Sequence, residues 1–231
     1  MKKSTLATLG VFLVLIPATL YLGTKLPGRS FYITGTLMII ELMLPFFMMF
    51  EGRKPQAREL VLVAVLCAIA VAGRVLIPFP NIKVVYAVIV LAGIAFGPET
   101  GFIVGTITAF ASNFFYSQGP YTPWQMMAYG AGGMLAGFLF RKGRLPRDPM
   151  VMGVFGFCTV LLWIGPLLDC SHVFLMLTRI TPAAVIATLF SGLYANIPLA
   201  VTTLMALLLF GKPFLRILDR VKTKYGILQT R

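Results

Sequence analysis

Eight apolar runs, most of them ended by charged or proline-containing segments, divide this chain. Such runs leave a backbone few options. Inside hydrocarbon every peptide N–H and C=O needs a partner within the protein, and a helix supplies it along its own length. The first two runs are Leu6–Gly23 and Phe31–Phe50. A polar break at Glu51-Gly52-Arg53-Lys54-Pro55 reads as a module boundary. Six more runs follow: Glu59–Ile77, Val84–Phe96, two within 97–140, Met150–Leu168 and Pro182–Phe210. Met1-Lys2-Lys3 resembles the start of a secretory signal, but the apolar run behind it is long and no A-x-A site follows, so a retained helix is expected. The chain is 58% hydrophobic with a mean hydropathy of +0.90, more than a soluble core of 231 residues requires. Barrel strands would leave a weaker, alternating signal. An all-α membrane protein is expected.

The net charge of +13 suggests nucleic acid at first sight. The basic residues cluster at the ends of the apolar runs, however, which is the pattern that orients a membrane protein. With both termini inside, fifteen of the twenty lysines and arginines fall on the cytoplasmic side: Lys2 and Lys3, then Arg53, Lys54 and Arg58, then Arg141, Lys142, Arg144 and Arg147, then six from Lys212 to Arg231. Lys25, Arg29, Arg74, Lys83 and Arg179 fall outside. This orientation brings 81–83, 118–125 and the expected loop Asp169–Thr181 to one outer surface.

Residues 97–140 form the organising pair of spans. Gly101, Gly105, Ala109 and Asn113 recur every fourth residue and share a helix face, and Gly133 and Gly137 repeat the pattern on the next span. In lipid, small residues allow close backbone approach, and an amide such as Asn113 bonds across helices. Ala64, Ala68 and Ala72 make a similar stripe on the third span. Its spacing is compatible with internal packing or with docking of another membrane protein. Pro78 and Pro80 mark a loop, Asn196-Ile197-Pro198 a break or kink in the last span, and 212–226 a basic amphipathic surface helix.

The chemistry is defined partly by what the sequence lacks. It contains no GxxxxGK[ST], HExxH or GxSxG. Cys67, Cys158 and Cys170 have no CxxC or zinc spacing, and the single histidine, His172, reads as a loop residue. Glu41 is the one acid near a span centre, and a structural and a functional role remain open for it. A proton-coupled transporter or an intramembrane enzyme would carry more charge at depth. Tyr116, Gln118, Tyr121, Trp124 and Gln125 surround the short loop of the organising pair, near Asn113. Interfacial anchoring accounts for the aromatics but not for the amides. The expected solute site is an outward cup of Asn113, Gln118, Tyr121, Trp124 and Gln125, with Arg74, Asn81 and Asp169 at its edge.

The alanine stripe, the segment FGPETGF…SNFFYSQGPYTPWQ over 96–125, and the closing KPFLRILDRVKTKYG resemble the S component of energy-coupling factor (ECF) transporters. The likeness spans about Arg58 to Gly226. It implies a six-helix core, here 57–226, preceded by a two-helix transmembrane extension, 1–56. It also implies a non-enzymatic subunit that binds a vitamin outside. That subunit docks through Ala64, Ala68 and Ala72 on a transmembrane T component driven by two cytoplasmic ATPases. No catalytic cofactor or metal is implied; the vitamin is transported substrate. Within the family the GPYTPWQ stretch, 119–125, is most similar to cobalamin-specific members, with queuosine-precursor and other vitamin carriers as alternatives. A self-standing secondary transporter or channel is the rival outside the family.

The charge distribution gives a direct test. In a chain whose three native cysteines are replaced, Gly119→Cys should react with an impermeant thiol reagent added outside, and Gly143→Cys should not. Outside labelling at 143 would reverse the orientation.

Overall fold

A computed structural model describes residues 11–25, 31–52, 56–140, 143–177 and 180–226, and every regular element among them is helical. The first helix, α1, has a π-turn at Val11–Leu15 followed by Ile16–Lys25. It is followed by α2, Phe31–Gly52, and α3, Ala57–Val75. Then come α4, Val85–Phe96; α5, Pro98–Tyr116; and α6, Thr122–Leu139. The last two are α7, Pro149–Met176, and α8, Pro182–Lys224. The chain is an all-α membrane protein. Among the described residues α7 and α8 are long and apolar enough to cross a bilayer, with mean hydropathies of 2.1 and 1.9.

Local chemistry sets several of the boundaries. Asp148 and Thr181 each precede a proline and cap α7 and α8, accepting from the backbone N–H of Met150 (3.1 Å) and Ala184 (3.2 Å). Proline suits a first turn, where its missing N–H is no loss. A single residue, Gly97 at φ +93°, separates α4 from α5; a side chain there would be strained.

Every residue of α4 is buried. A helix apolar all round belongs in an interior, and α3, α5, α6 and α8 enclose it. Its 12 residues give only about 18 Å, short of the ~30 Å hydrocarbon layer, which an enclosed helix need not match. The tightest packing lies where α4, α5 and α6 meet. A Cβ on Gly93 or Gly101 would fall well under 3 Å from the backbone of Gly133, and one on Gly105 would collide with the backbone of Tyr129. The predicted small-residue faces of the organising pair therefore meet each other, and α4 joins them through Gly93.

The amino-terminal helices pack on this bundle. Phe47 of α2 meets Phe102 edge-on at 6.0 Å, and Ile39 and Met43 are buried in the core. Glu41 is buried. Its Oε1 accepts from the Thr19 hydroxyl of α1, while Oε2 has no partner among the described residues.

Two expectations are corrected. The segment Asp169–Thr181 is not a loop from its start: α7 continues to Met176, so Asp169, Cys170 and His172 lie on a helix. A π-turn at Val160–Ile164, closed by Gly165 N–H to the Val160 carbonyl, precedes Pro166. That wide turn places the proline in the first turn of the segment that follows, so the helix is not broken. Likewise α8 runs unbroken through Pro198 and Pro213 to Lys224, so 212–224 continues the last helix instead of forming a separate one. Each proline removes one backbone bond, and packed neighbours hold the helix on either side. The start of the first run, the break at 53–55, Arg141, Lys142 and Arg179 lie outside the described residues, so much of the charge count has no structural counterpart.

The backbone contact predicts asymmetric tolerance. Gly101→Ala should lower stability by about 1–3 kcal/mol, the usual range for overpacking. Gly52→Ala, with open space around it, should leave the thermal midpoint unchanged or slightly raised. Melts of both variants in one detergent check this.

Candidate functional site

A network of polar side chains forms where α3 ends, α5 ends and α6 begins. Arg74 lies in the last turn of α3, where a cation complements the helix dipole. Its guanidinium donates to the Ser112 hydroxyl and to Asn113 Oδ1 (2.9 Å), both on α5. It also lies over the rings of Tyr116 and Tyr129, at 5.1 and 5.5 Å from their centroids. The Tyr116 hydroxyl donates back to the Arg74 carbonyl at 2.9 Å. Among the described residues, the partners of this cation are thus hydroxyl, amide and π faces.

From Asn113 the network passes to α6. Its Nδ2 donates to Gln125 Oε1 (2.8 Å) and Thr122 Oγ1 (3.2 Å). Thr122 Oγ1 also accepts from Gly119 N–H (3.1 Å) and donates to Gln118 Oε1 (3.0 Å), which fills its one donor and two acceptor positions. Gln118 Nε2 donates to the Phe110 carbonyl at 2.9 Å, and the Tyr121 hydroxyl to the Ser117 carbonyl at 2.7 Å. Asn113 is wholly buried, so its amide works inside the bundle and does not line an open cup.

The predicted set therefore divides. Arg74, Asn113, Gln118 and Gln125 form one chain of bonds, with Tyr121 beside it. Asn81 sits half-buried in the α3–α4 connection at φ +59°. Asp169 stands apart on α7, where its Oδ2 accepts from Asn196 Nδ2 of α8 at 2.9 Å, over Gly192. Trp124 faces a different neighbour from Gln125. Its ring stacks on Phe174 of α7 at 5.3 Å and 26°, and it presses on Gly35 of α2. It is 5% exposed, and its Nε1–H has no acceptor among the described residues. An apolar groove of about 430 Å³ runs beside the network, between Ile40, Met43 and Phe47 of α2 and Phe110 and Met126, with Gln118 and Gly119 on its lining.

Sequence reasoning missed Ser112, Thr122, Tyr129 and Phe174. Tyr129 lies one helical turn after Gln125, a spacing that could have revealed it. Phe174 was hidden by the expectation of a loop. The alanine stripe looks outward: Ala64 and Ala68 are exposed and Ala72 is half-buried, while Val63, Leu66, Cys67 and Ala70 carry the internal packing of α3.

A protein-family model for the ECF-type riboflavin transporter S component matches residues 54–213, more than two thirds of the chain. The chain belongs to that family. No curated protein and no solved structure matches it. As an ECF S component, it is a substrate-binding subunit of a transporter, in a family of transport proteins and not of enzymes. T-component and ATPase partners go with that family. The match covers α3 to α7 and α8 as far as Pro213, so α1, α2 and the end of α8 lie beyond it.

The network predicts its own keystone. Asn113→Ala strips partners from Arg74, Gln125 and Thr122 at once, and should cost about 1–3 kcal/mol for the buried groups left unpaired. Tyr121→Phe, which removes a hydroxyl whose one bond among the described residues goes to the Ser117 carbonyl, should be near neutral. Denaturant or thermal unfolding of the two variants checks the contrast.

Proposed function

We propose that this S component captures a planar heteroaromatic vitamin of the flavin class at the Gln118 end of the bundle. In this reading the Gln118 end is outside, the helices cross the membrane repeatedly and both termini are cytoplasmic. The solute passes inward when the subunit docks on a T component powered by two ATPases. The observation that carries the site is Trp124. Its buried indole N–H has no acceptor among the described residues, a costly arrangement, and it lies beside a ring already stacked at the mouth of α6 and α7. A flat solute seated there can meet the N–H with a ring carbonyl and stack on the indole. The Arg74–Asn113–Gln125 chain lies on the neighbouring side of α6 and holds that end of the helix in place.

The family name favours riboflavin over the corrinoid suggested by residues 119–125, and a flat tricyclic ring asks less room of this closely packed end. The outward alanine stripe supports docking through α3, since small residues let another helix approach closely. Residues 57–226 would then be the working core, and 1–56 an added pair of helices resting on it.

Equilibrium dialysis of the purified chain against riboflavin and, separately, cobalamin tests the solute. Riboflavin should bind, and Trp124→Ala should weaken it about ten- to a hundredfold, a magnitude borrowed from base–aromatic stacking. Binding of cobalamin alone would replace the flavin assignment. A folded Trp124→Ala that binds like the parent would remove this ring from the site. In vesicles containing the partner subunits and ATP, Ala68→Leu should keep binding and lose uptake. Uptake by the isolated chain would instead mark a self-standing transporter.

A further inference from the structure

We infer that the end of α8 is a binding surface for anionic phospholipid headgroups. The 43 residues of α8 make a rod of about 65 Å, roughly twice the hydrocarbon thickness, so the helix must continue beyond that layer. Over 212–224 it is two-faced. Leu215 and Leu218 are buried, and Phe214 and Val221 pack against the core. Lys212, Arg216, Arg220 and Lys224 recur every fourth residue, and all four are exposed. That spacing lays them along one side of the helix.

Three contacts hold this rotation. Arg147, in the connection between α6 and α7, pairs with Asp219 at 3.3 Å and donates to the Ile94 carbonyl at 3.1 Å. Lys222 Nζ donates to the Ala95 carbonyl at 3.3 Å. Both carbonyls belong to the last turn of α4, where a helix presents negative partial charge. Asp219 is the single acid between 212 and 224, and Arg147 engages it. Like charges four residues apart repel along a helix, so the outward stripe calls for anions from outside the chain. The nearest plentiful ones are the phosphates of the bilayer surface that this helix leaves. Phe210 and Ile217, exposed beside the stripe, suit the boundary between headgroups and acyl chains. Polybasic segments directly beyond a membrane helix attract anionic lipid in this way.

The test uses the full chain in non-ionic detergent, with bound lipid counted by native mass spectrometry. Phosphatidylglycerol should bind at least tenfold tighter than phosphatidylcholine, with the preference shrinking as salt rises. The combined variant Lys212→Gln, Arg216→Gln, Arg220→Gln and Lys224→Gln should lose that preference while keeping the parent's thermal midpoint. Arg147→Gln, which removes the Asp219 pair and the Ile94 bond but keeps the stripe, should retain most of it. A folded quadruple variant with unchanged lipid preference would overturn the inference. So would inorganic phosphate competing at the lipid's own concentration, which would mark a free-anion site. A quadruple variant that keeps its lipid preference but no longer co-purifies with partner subunits would make the stripe a protein-docking face instead.

Discussion

Backbone against backbone is the contact on which this structure rests. At Gly93, Gly101 and Gly133 three helices approach so closely that no side chain fits between them. In lipid there is little hydrophobic gain from bringing helices together, because the solvent is as apolar as the side chains. Association then depends on dense van der Waals contact and interhelical bonds, and glycine provides the first at no side-chain entropy cost. The second is added about two turns apart along nearly the same side: Thr106 bonds the Met126 carbonyl, and Asn113 bonds Thr122 and Gln125. A short, enclosed α4 is affordable only because this joint fixes its neighbours.

The same face explains how far the sequence could be read. A four-residue glycine repeat is a local signal, and its outcome, a tight α5–α6 pair ending in a bonded Asn113, was legible because helical spacing alone puts those residues together. The outward turn of Ala64 and Ala68 was not legible in the spacing, since periodicity names a face but not what it faces; the family likeness alone pointed outward. Asp169 shows a different limit. The expected seventh span stops at Leu168, whereas the helix, past its π-turn and Pro166, carries on to Met176. Trp124 and Gln125 are neighbours in sequence, yet about 100° of helix rotation sends the indole to Phe174 and the amide to Asn113. Which of the two meets α7 depends on how α6 is rotated in the bundle, and that is a property of tertiary packing.

The two ends of the molecule handle positive charge in opposite ways. At one, Arg74 is drawn inward against neutral oxygens and ring faces, which keep it oriented. At the other, Arg147 and Lys222 are spent on the carbonyls of α4, and the remaining cations of α8 stay at the surface. The inward arrangement suits recognition, where a fixed direction matters. The outward one suits a diffuse, salt-sensitive attraction.

The chain has two tryptophans, and the structure separates their surroundings. Trp124 is stacked and nearly sealed, whereas Trp163, at the π-turn of α7, is 41% exposed on the outside of the bundle. The intrinsic emission of the protein is therefore the sum of an interior lamp and a peripheral one. A quencher dissolved in the acyl chains dims chiefly Trp163, while a molecule entering beside Phe174 acts first on Trp124. One unlabelled sample can in this way report separately on the lipid around the subunit and on the contents of its polar end.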